Sequence, residues 1–442
     1  MGWASAQQET TLSTMRSLPQ AGYTNPAFVP TQTFYLGLPG ISSVAGYGGS
    51  NSLSYQQVEE LKLEDDFSGR SLLDLRAKMK DQNWFTGGAQ VDLLSVGVRA
   101  NARLYLRYRL STKVVSQIML PRGLALLADE QFLKTSNSIT LAPSVQAMGY
   151  LENSFGASYV VNQKLTVGAN IKRLTGLANV HTEHLDMTLK SRPSEGLLQL
   201  EGSMLAYTAG YDLEAEDDES EKYEEITSYS DIMDLIGGNS GWAADLGATY
   251  QLTDKMQLGL GILDLGTINW KNGAREYSIK RASTTFQNLD EGSLNEDNYR
   301  AEAFADSVAK YFEPQDKAIG SYRTGLPVKS YLNITYELHR SVHASGIFFS
   351  QMYKGRFLPG FTAAINKEWG RRLGTSLSYT AINGSYSNVG AGFSFRLTPF
   401  QLYVVSDNVL GGIDYKNAKN VNVRAGLNLV FGTIKKPTKL PY

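Results

Sequence analysis

Val421, Asn422, Val423, Arg424, Ala425, Gly426, Leu427, Asn428, Leu429, Val430, Phe431 and Gly432 form the run that decides the fold. Val421, Val423, Ala425, Leu427, Leu429 and Phe431 alternate with a second set that is mostly polar or small. Successive side chains of an extended strand point to opposite faces, so the run has one oily face and one polar face. The alternation recurs along the chain. Leu104, Leu106, Tyr108 and Leu110 oppose Tyr105, Arg107, Arg109 and Ser111, and Leu165, Val167, Ala169 and Ile171 oppose Thr166, Gly168, Asn170 and Lys172. Leu246, Ala248, Tyr250 and Leu252 likewise oppose Asp245, Gly247, Thr249 and Gln251.

Composition narrows what such strands can build. The 42 glycines, 25 tyrosines and 17 phenylalanines among 442 residues favour strands and turns over helices. With 42 basic against 43 acidic residues the net charge is −1, so no overall field recruits nucleic acid. The absence of cysteine excludes disulfides, thiolate metal sites, a cysteine nucleophile and a lipidated cysteine anchor. No apolar run is long enough for a membrane helix, and only a closed barrel could otherwise span a bilayer. Ala4-Ser5-Ala6 before Gln7 has the small-x-small form of a signal-peptidase site, so residues 1–6 are expected to be the remnant of an export signal.

Residues 7–31 lack alternation and contain Pro19, Pro26 and Pro30. Asn25, Pro26, Phe28 and Pro30 should make this stretch irregular but stiff, an internal plug or a periplasmic tether. The barrel is expected over 32–432, with a periplasmic tail at 433–442. Its strands are predicted at Thr33 to about Tyr47 with a bulge at Pro39, Trp84 to Arg99, Ala102 to Gln117, a long strand to Val161 interrupted near Pro143, Lys164 to Leu177, Trp242 to Leu252 and Lys255 to Leu265. Seven more follow from Lys329 to Gly432. Helices are predicted around Leu72, Leu75 and Met79, over Arg122 to Phe132, and at Tyr299 to Phe312. Ala178 to Ser240, with a hairpin, an acidic run from Glu214 to Glu225 and a short helix at Asp231 to Ile236, is expected in water.

The connections separate a membrane barrel from a soluble sandwich. Every second one is very short, near Asn101, Gln163, Asp254, Arg340, Gly370 and Pro399, while those between are usually long, helical or acidic. Outer-membrane barrels have this asymmetry, with tight periplasmic turns on one rim and long loops on the other. Counting with this parity gives about 14 strands, an even number with both termini on the periplasmic side. Trp84, Trp242, Trp270 and Trp369 all fall at predicted strand ends, where an aromatic girdle would sit.

Several short motifs carry a resemblance. Asn25-Pro26-Ala27-Phe28-Val29-Pro30 with Phe34-Tyr35-Leu36-Gly37-Leu38-Pro39-Gly40, Asp245-Leu246-Gly247, Asp264-Leu265-Gly266, Pro399-Phe400-Gln401-Leu402-Tyr403 and Asp407-Asn408 resemble an uncharacterised family of outer-membrane β-barrels from Bacteroidota. That family is similar in architecture to long-chain fatty-acid transporters of the FadL type and to PorV-type barrel partners of the type IX secretion system. The resemblance implies a 14-stranded barrel in the bacterial outer membrane with an N-terminal segment in or under the lumen. It implies no catalytic residues.

The candidate chemistry is sparse. His181 and His184 are three apart on an extended pattern with no third ligand nearby, so no metal site is expected. No Gly-x-Ser-x-Gly elbow occurs, and the acidic run lacks the spacing of a calcium loop. Gly259-Leu260-Gly261 lies within a strand, so its glycines make room on the inner face rather than bind a phosphate. Neither an enzyme nor a cofactor is expected. The remaining functional surface is the inward polar face, where Arg107, Arg109, Lys172, Asp245, Glu337, Arg396 and Arg424 are candidates to line the lumen. Three functions remain open at this point: a passive transporter of small hydrophobic molecules, a non-conducting partner subunit of an outer-membrane complex contacting lipid and other outer-membrane proteins, and a soluble secreted β-rich protein.

Overall fold

The computed structural model describes residues 9–59, 76–126, 135, 137–195, 197–210, 238–287, 314–382 and 385–432. Its strands are β1 (Phe34–Gly37), β2 (Val44–Ser50), β3 (Gln82–Arg99), β4 (Leu104–Pro121), β5 (Ser138–Thr140), β6 (Ser144–Val160), β7 (Leu165–Arg192), β8 (Leu197–Ala209), β9 (Ser240–Thr253) and β10 (Met256–Trp270). They continue as β11 (Arg275–Gln287), β12 (Gln315–Ala318), β13 (Tyr322–Gly325), β14 (Val328–His339), β15 (Val342–Tyr353), β16 (Arg356–Trp369), β17 (Leu373–Ile382), β18 (Ser385–Leu397), β19 (Phe400–Ser406) and β20 (Asn420–Phe431). All twenty belong to one antiparallel sheet, and fourteen staves close into a barrel.

The last strand closes the ring on the first. β20 pairs with β1, Phe34 opposite Phe431, and with β2, Val44 opposite Ala425, while both segments pair with β3 on their other side. The first stave is thus one strand interrupted over residues 38–43, where Pro39 cannot donate to the ladder. Closing the ring leaves the barrel without an edge strand, which is what a bilayer demands.

The exterior is oily. β9 turns Trp242, Leu246, Tyr250 and Leu252 outward, β14 does the same with Leu332, Ile334, Tyr336 and Leu338, and Ile171 and Leu377 at mid-strand are each 61% exposed. A soluble protein would bury such a belt, so the secreted soluble alternative does not fit. The belt is the lipid contact of a transmembrane barrel in the bacterial outer membrane. No helix of the described residues is long and apolar enough to cross a membrane.

Several boundaries differ from the sequence reading. β7 runs 15 residues past Leu177, and its upper half forms with β8 the hairpin expected within Ala178 to Ser240. Its upper half leaves the barrel wall to pair with β5 and β8, β8 pairs with β11, and β11 with β12, so the sheet extends beyond the rim. A strand stops only where its partners stop, and those of upper β7 are β5 and β8. Two of the four girdle tryptophans are misplaced. Trp242 and Trp369 are 60% and 51% exposed, whereas Trp84 and Trp270 are buried inside. Nearness to a strand end sets a residue's height, while period-two parity sets its side. The rim opposite the short turns is also uneven, since only Lys354 and Gly355 separate β15 from β16. The helix predicted over Arg122 to Phe132 is observed at Gly123–Leu126. Leu72, Leu75, the acidic run, Asp231 to Ile236, Tyr299 to Phe312, residues 1–6 and 433–442 lie outside the described residues.

Candidate functional site

The N-terminal segment lies against the inner wall. A short helix, Thr10–Thr14, is followed by a 3-10 turn, Pro19–Thr24, with Pro19 at its first position, where a missing N–H costs nothing. Leu12, Met15 and Leu18 pack on Tyr403 and Val405 of β19. Thr11 N–H donates to Asp407 at 2.7 Å, Thr14 Oγ1 donates to Asn366 at 2.9 Å, and Gln20 and Asn428 exchange two hydrogen bonds at 2.8 and 3.1 Å. Three donors converge on the Ser17 carbonyl: Gln32 at 2.7 Å, Gln401 at 3.0 Å and Arg396 at 3.3 Å.

Across the lumen the same segment meets a wall stripped of side chains. A Cβ at Gly168 would sit 2.1 Å from the Pro26 carbonyl oxygen, one at Gly247 2.2 Å from Asn25 Oδ1, and one at Gly261 2.1 Å from the Thr24 carbonyl oxygen. Glycine on three adjacent strands is what lets the backbone approach this closely. Asn25 Oδ1 accepts from Ala27 N–H at 2.8 Å, and its Nδ2 donates to the Ala248 carbonyl at 3.1 Å. The Pro26 carbonyl accepts from Ser158 Oγ at 2.8 Å and from Arg107. Phe28 is half-buried with its carbonyl 3.5 Å from Arg107 Nη1, and Pro30 is buried.

Above this cradle lies a network of buried charge. Lys172 Nζ is 2.6 Å from Asp264, 2.7 Å from Asp245 and 3.6 Å from Glu152. Glu152, fully buried, also takes Arg109 at 2.8 Å and Lys113 at 2.7 Å. Asp264 reaches Lys172 through a bulge between Ile262 and Leu265, where it adopts φ 62° and donates its N–H to Asp245 at 2.8 Å. Aspartate is among the few residues that tolerate this left-handed conformation. The N-terminal segment joins the network twice. Tyr23 donates to Asp92 with the Arg109 guanidinium 4.4 Å above its ring, and Glu9 pairs with Arg424, which also donates to Ser43 at 2.5 Å. Such charges are tolerated out of water because each has partners.

A small cavity of about 70 Å³ rests on Glu9 and Leu12. Tyr47, Lys113, Tyr150, Lys329 and Asp407 are among its walls. At about 70 Å³ it is much smaller than the roughly 300–1,000 Å³ typical of ligand sites.

The family of unknown function DUF5723 matches residues 26–407. The chain belongs to DUF5723. The matched span holds most of the motifs on which the sequence resemblance rests. No curated protein matches the DUF5723 chain in sequence. Solved structures similar to it include a Pseudomonas aeruginosa FadL homologue, 11% identical over 98% of this chain and 99% of that one, with a TM-score of 0.44. The Ralstonia pickettii toluene transporter TbuX is 11% identical over 94% of both chains at 0.42. A deltaS2S3 mutant of the monoaromatic hydrocarbon channel TodX, a protein of Pseudomonas putida, is 14% identical over 93% and 94% at 0.41. The architecture of the DUF5723 barrel stands on its own strand register and apolar belt.

Of the residues singled out in the sequence, Arg107 and Arg396 touch the N-terminal segment, Arg109, Lys172 and Asp245 lie in the network, and Arg424 joins Glu9. Glu337 is apart from them, half-buried near the short-turn rim. His181 is buried and His184 exposed. Glu152, Asp264, Lys113, Asp92, Glu9 and Tyr23 were missed. Glu152 was legible by parity with Tyr150 and Ser154 on the inner face of β6. Asp264 was not, because the bulge reverses the parity of its strand.

Proposed function

We propose that this DUF5723 barrel is a passive transporter of small hydrophobic molecules across the outer membrane, with residues 7–31 as its internal plug and Arg107, Arg109, Lys172, Asp245, Arg396 and Arg424 as lumen residues that hold the plug and shape the path. The observation that carries this reading is the N-terminal segment packed along the inner wall, where it floors a small cavity lined by both charged and apolar groups. Leu12, Val115, Tyr150 and Val405 give the cavity apolar wall beside its charges. The test is uptake of small apolar solutes, and single-channel conductance, in liposomes carrying the full chain or a form lacking residues 7–31. Silence from both rejects transport.

A second reading, a non-conducting partner subunit, is favoured by one observation, the sheet of β5, upper β7, β8, β11 and β12 that projects beyond the barrel rim with its own apolar core of Ile139, Leu141, Leu189, Leu198 and Leu200. Gentle extraction that recovers only the lone barrel argues against it.

A further inference from the structure

The short-turn rim carries a charge pattern that neither the plug nor the lumen uses. Arg103, Lys164, Lys255, Arg340, Arg371 and Arg372 are all exposed, and together they occupy five of the six short turns, Thr398–Pro399 being the exception. The exposed acids on this rim are Asp254 and Glu368. Among the described residues none of the six cations forms an ion pair. A chain of net charge −1 has therefore concentrated unpaired positive charge on one rim.

One layer further into the barrel sits an aromatic belt. Tyr159, Tyr250, Tyr336, Trp369 and Phe431 lie within the last few residues of β6, β9, β14, β16 and β20, all partly exposed on the outer face. Aromatic rings of this kind mark the boundary between acyl chains and headgroups. The cations in the adjoining turns then stand at the level of the phosphates. A further cation within β16, Lys367, has its Nζ 3.6 Å from the centroid of the Trp369 ring.

We propose that this rim binds anionic phospholipid headgroups of the leaflet it faces. A protein partner would be met by a patch on one side, whereas these charges run around the circumference and stay in register with the aromatic belt, which is the geometry of an annulus of lipid. Each Lys or Arg beside an anionic surface strengthens binding by about fivefold. Because the contacts are exposed, the preference weakens as salt rises.

The test uses the purified full chain reconstituted in phosphatidylcholine alone and in equal parts of phosphatidylcholine and phosphatidylglycerol, with retained lipids counted by native mass spectrometry. The expected result is that phosphatidylglycerol is retained over phosphatidylcholine, that salt erodes this preference, and that the variant R103Q/R340Q/R371Q/R372Q loses it while keeping the heat-modifiable migration of a folded barrel. A variant on the opposite rim, K271Q/K416Q, keeps the preference. Should the quadruple variant fail to fold, the salt titration of the unaltered chain decides between charge and shape. Equal retention of both lipids by the unaltered chain, a preference indifferent to salt, a preference that survives the quadruple change, or equal loss in K271Q/K416Q overturns the proposal.

Discussion

Gly261→Val, alone and with Gly168→Val, tests whether the N-terminal segment is held by the fit of the wall. At Gly261 a Cβ would stand 2.1 Å from the Thr24 carbonyl oxygen, and real Cβ contacts do not fall below 3.0 Å, so Thr24 must retreat by at least about 0.9 Å. Overpacking of this kind costs about 1–3 kcal/mol per site. Opposing it locally are the Ser158 and Arg107 bonds to the Pro26 carbonyl and the Asn25 bond to Ala248, each worth about 0.5–1.5 kcal/mol net and up to about 3 where charged. One valine is thus comparable to part of that anchoring, and two approach all of it, with costs that do not simply add because both press on the same segment. The chain has no cysteine, so Ala27→Cys, at a position 1% exposed, provides a single reporter thiol. The expected outcome is a maleimide-resistant thiol in the otherwise unaltered barrel, partial labelling with Gly261→Val, and rapid labelling with both valines. Conductance in planar bilayers should rise in the same order. Unchanged labelling and silence in a folded double variant would refute the idea that glycines cradle the segment.

Three further outcomes follow from the same geometry. Lys172→Met leaves Asp245, Asp264 and Glu152 without their shared cation and should cost about 3–5 kcal/mol, read as a lower urea midpoint, with Asp264→Asn added to it recovering part of the loss. Leu377→Arg places a charge on the lipid face at mid-strand and should cost about 2–4 kcal/mol in bilayer-folding titrations, whereas a harmless result would argue against the belt. Burial pushes the Glu9 carboxyl up, but the Arg424 guanidinium, with Lys329, Lys113 and Arg109 behind it, outweighs this and holds it below its ordinary 4.5. A depressed carboxylate stabilises the docked segment fully above that ordinary value and loses the effect as pH falls through the lower folded value. Labelling of the Ala27→Cys thiol by a pyridyl disulfide, which still reacts with thiols in acid, should therefore stay slow at neutral pH and quicken only below 4.5, and Glu9→Gln should flatten that response.

The barrel was legible in the sequence because its two determinants are local. Alternation fixes which face of a strand is oily, and turn length fixes which strands are neighbours, so the closing of the last strand on the first could be anticipated, although not the register that sets Phe34 opposite Phe431. Arg107 and Lys172 could be assigned inward by the same parity. What stayed hidden depends on departures from it. Trp270 lies inside because β10 carries a bulge between Ile262 and Leu265, which shifts the parity of every later residue in that strand. The length of β7 was hidden for a different reason: its upper half is held by β5 and β8, and no residue of β7 itself announces those partners.

The bulge that defeats the sequence reading is also what assembles the charge network. Without it Asp264 would follow the parity of Ile262 and point to lipid, where a carboxylate is costly. With it, Asp264 turns inward onto Lys172, and its N–H is satisfied by Asp245 rather than lost from the ladder. The same Lys172 then bridges to Glu152, which holds Arg109 over the Tyr23 ring. One irregular residue in the wall is thereby linked through three ion pairs to the segment in the lumen. This predicts that Asp264→Leu, although conservative for a strand on an oily exterior, should loosen the Tyr23 region. Protease resistance of residues 9–32 in the folded barrel is the measurement, and a variant as resistant as the unaltered chain would break the chain of reasoning at its first link.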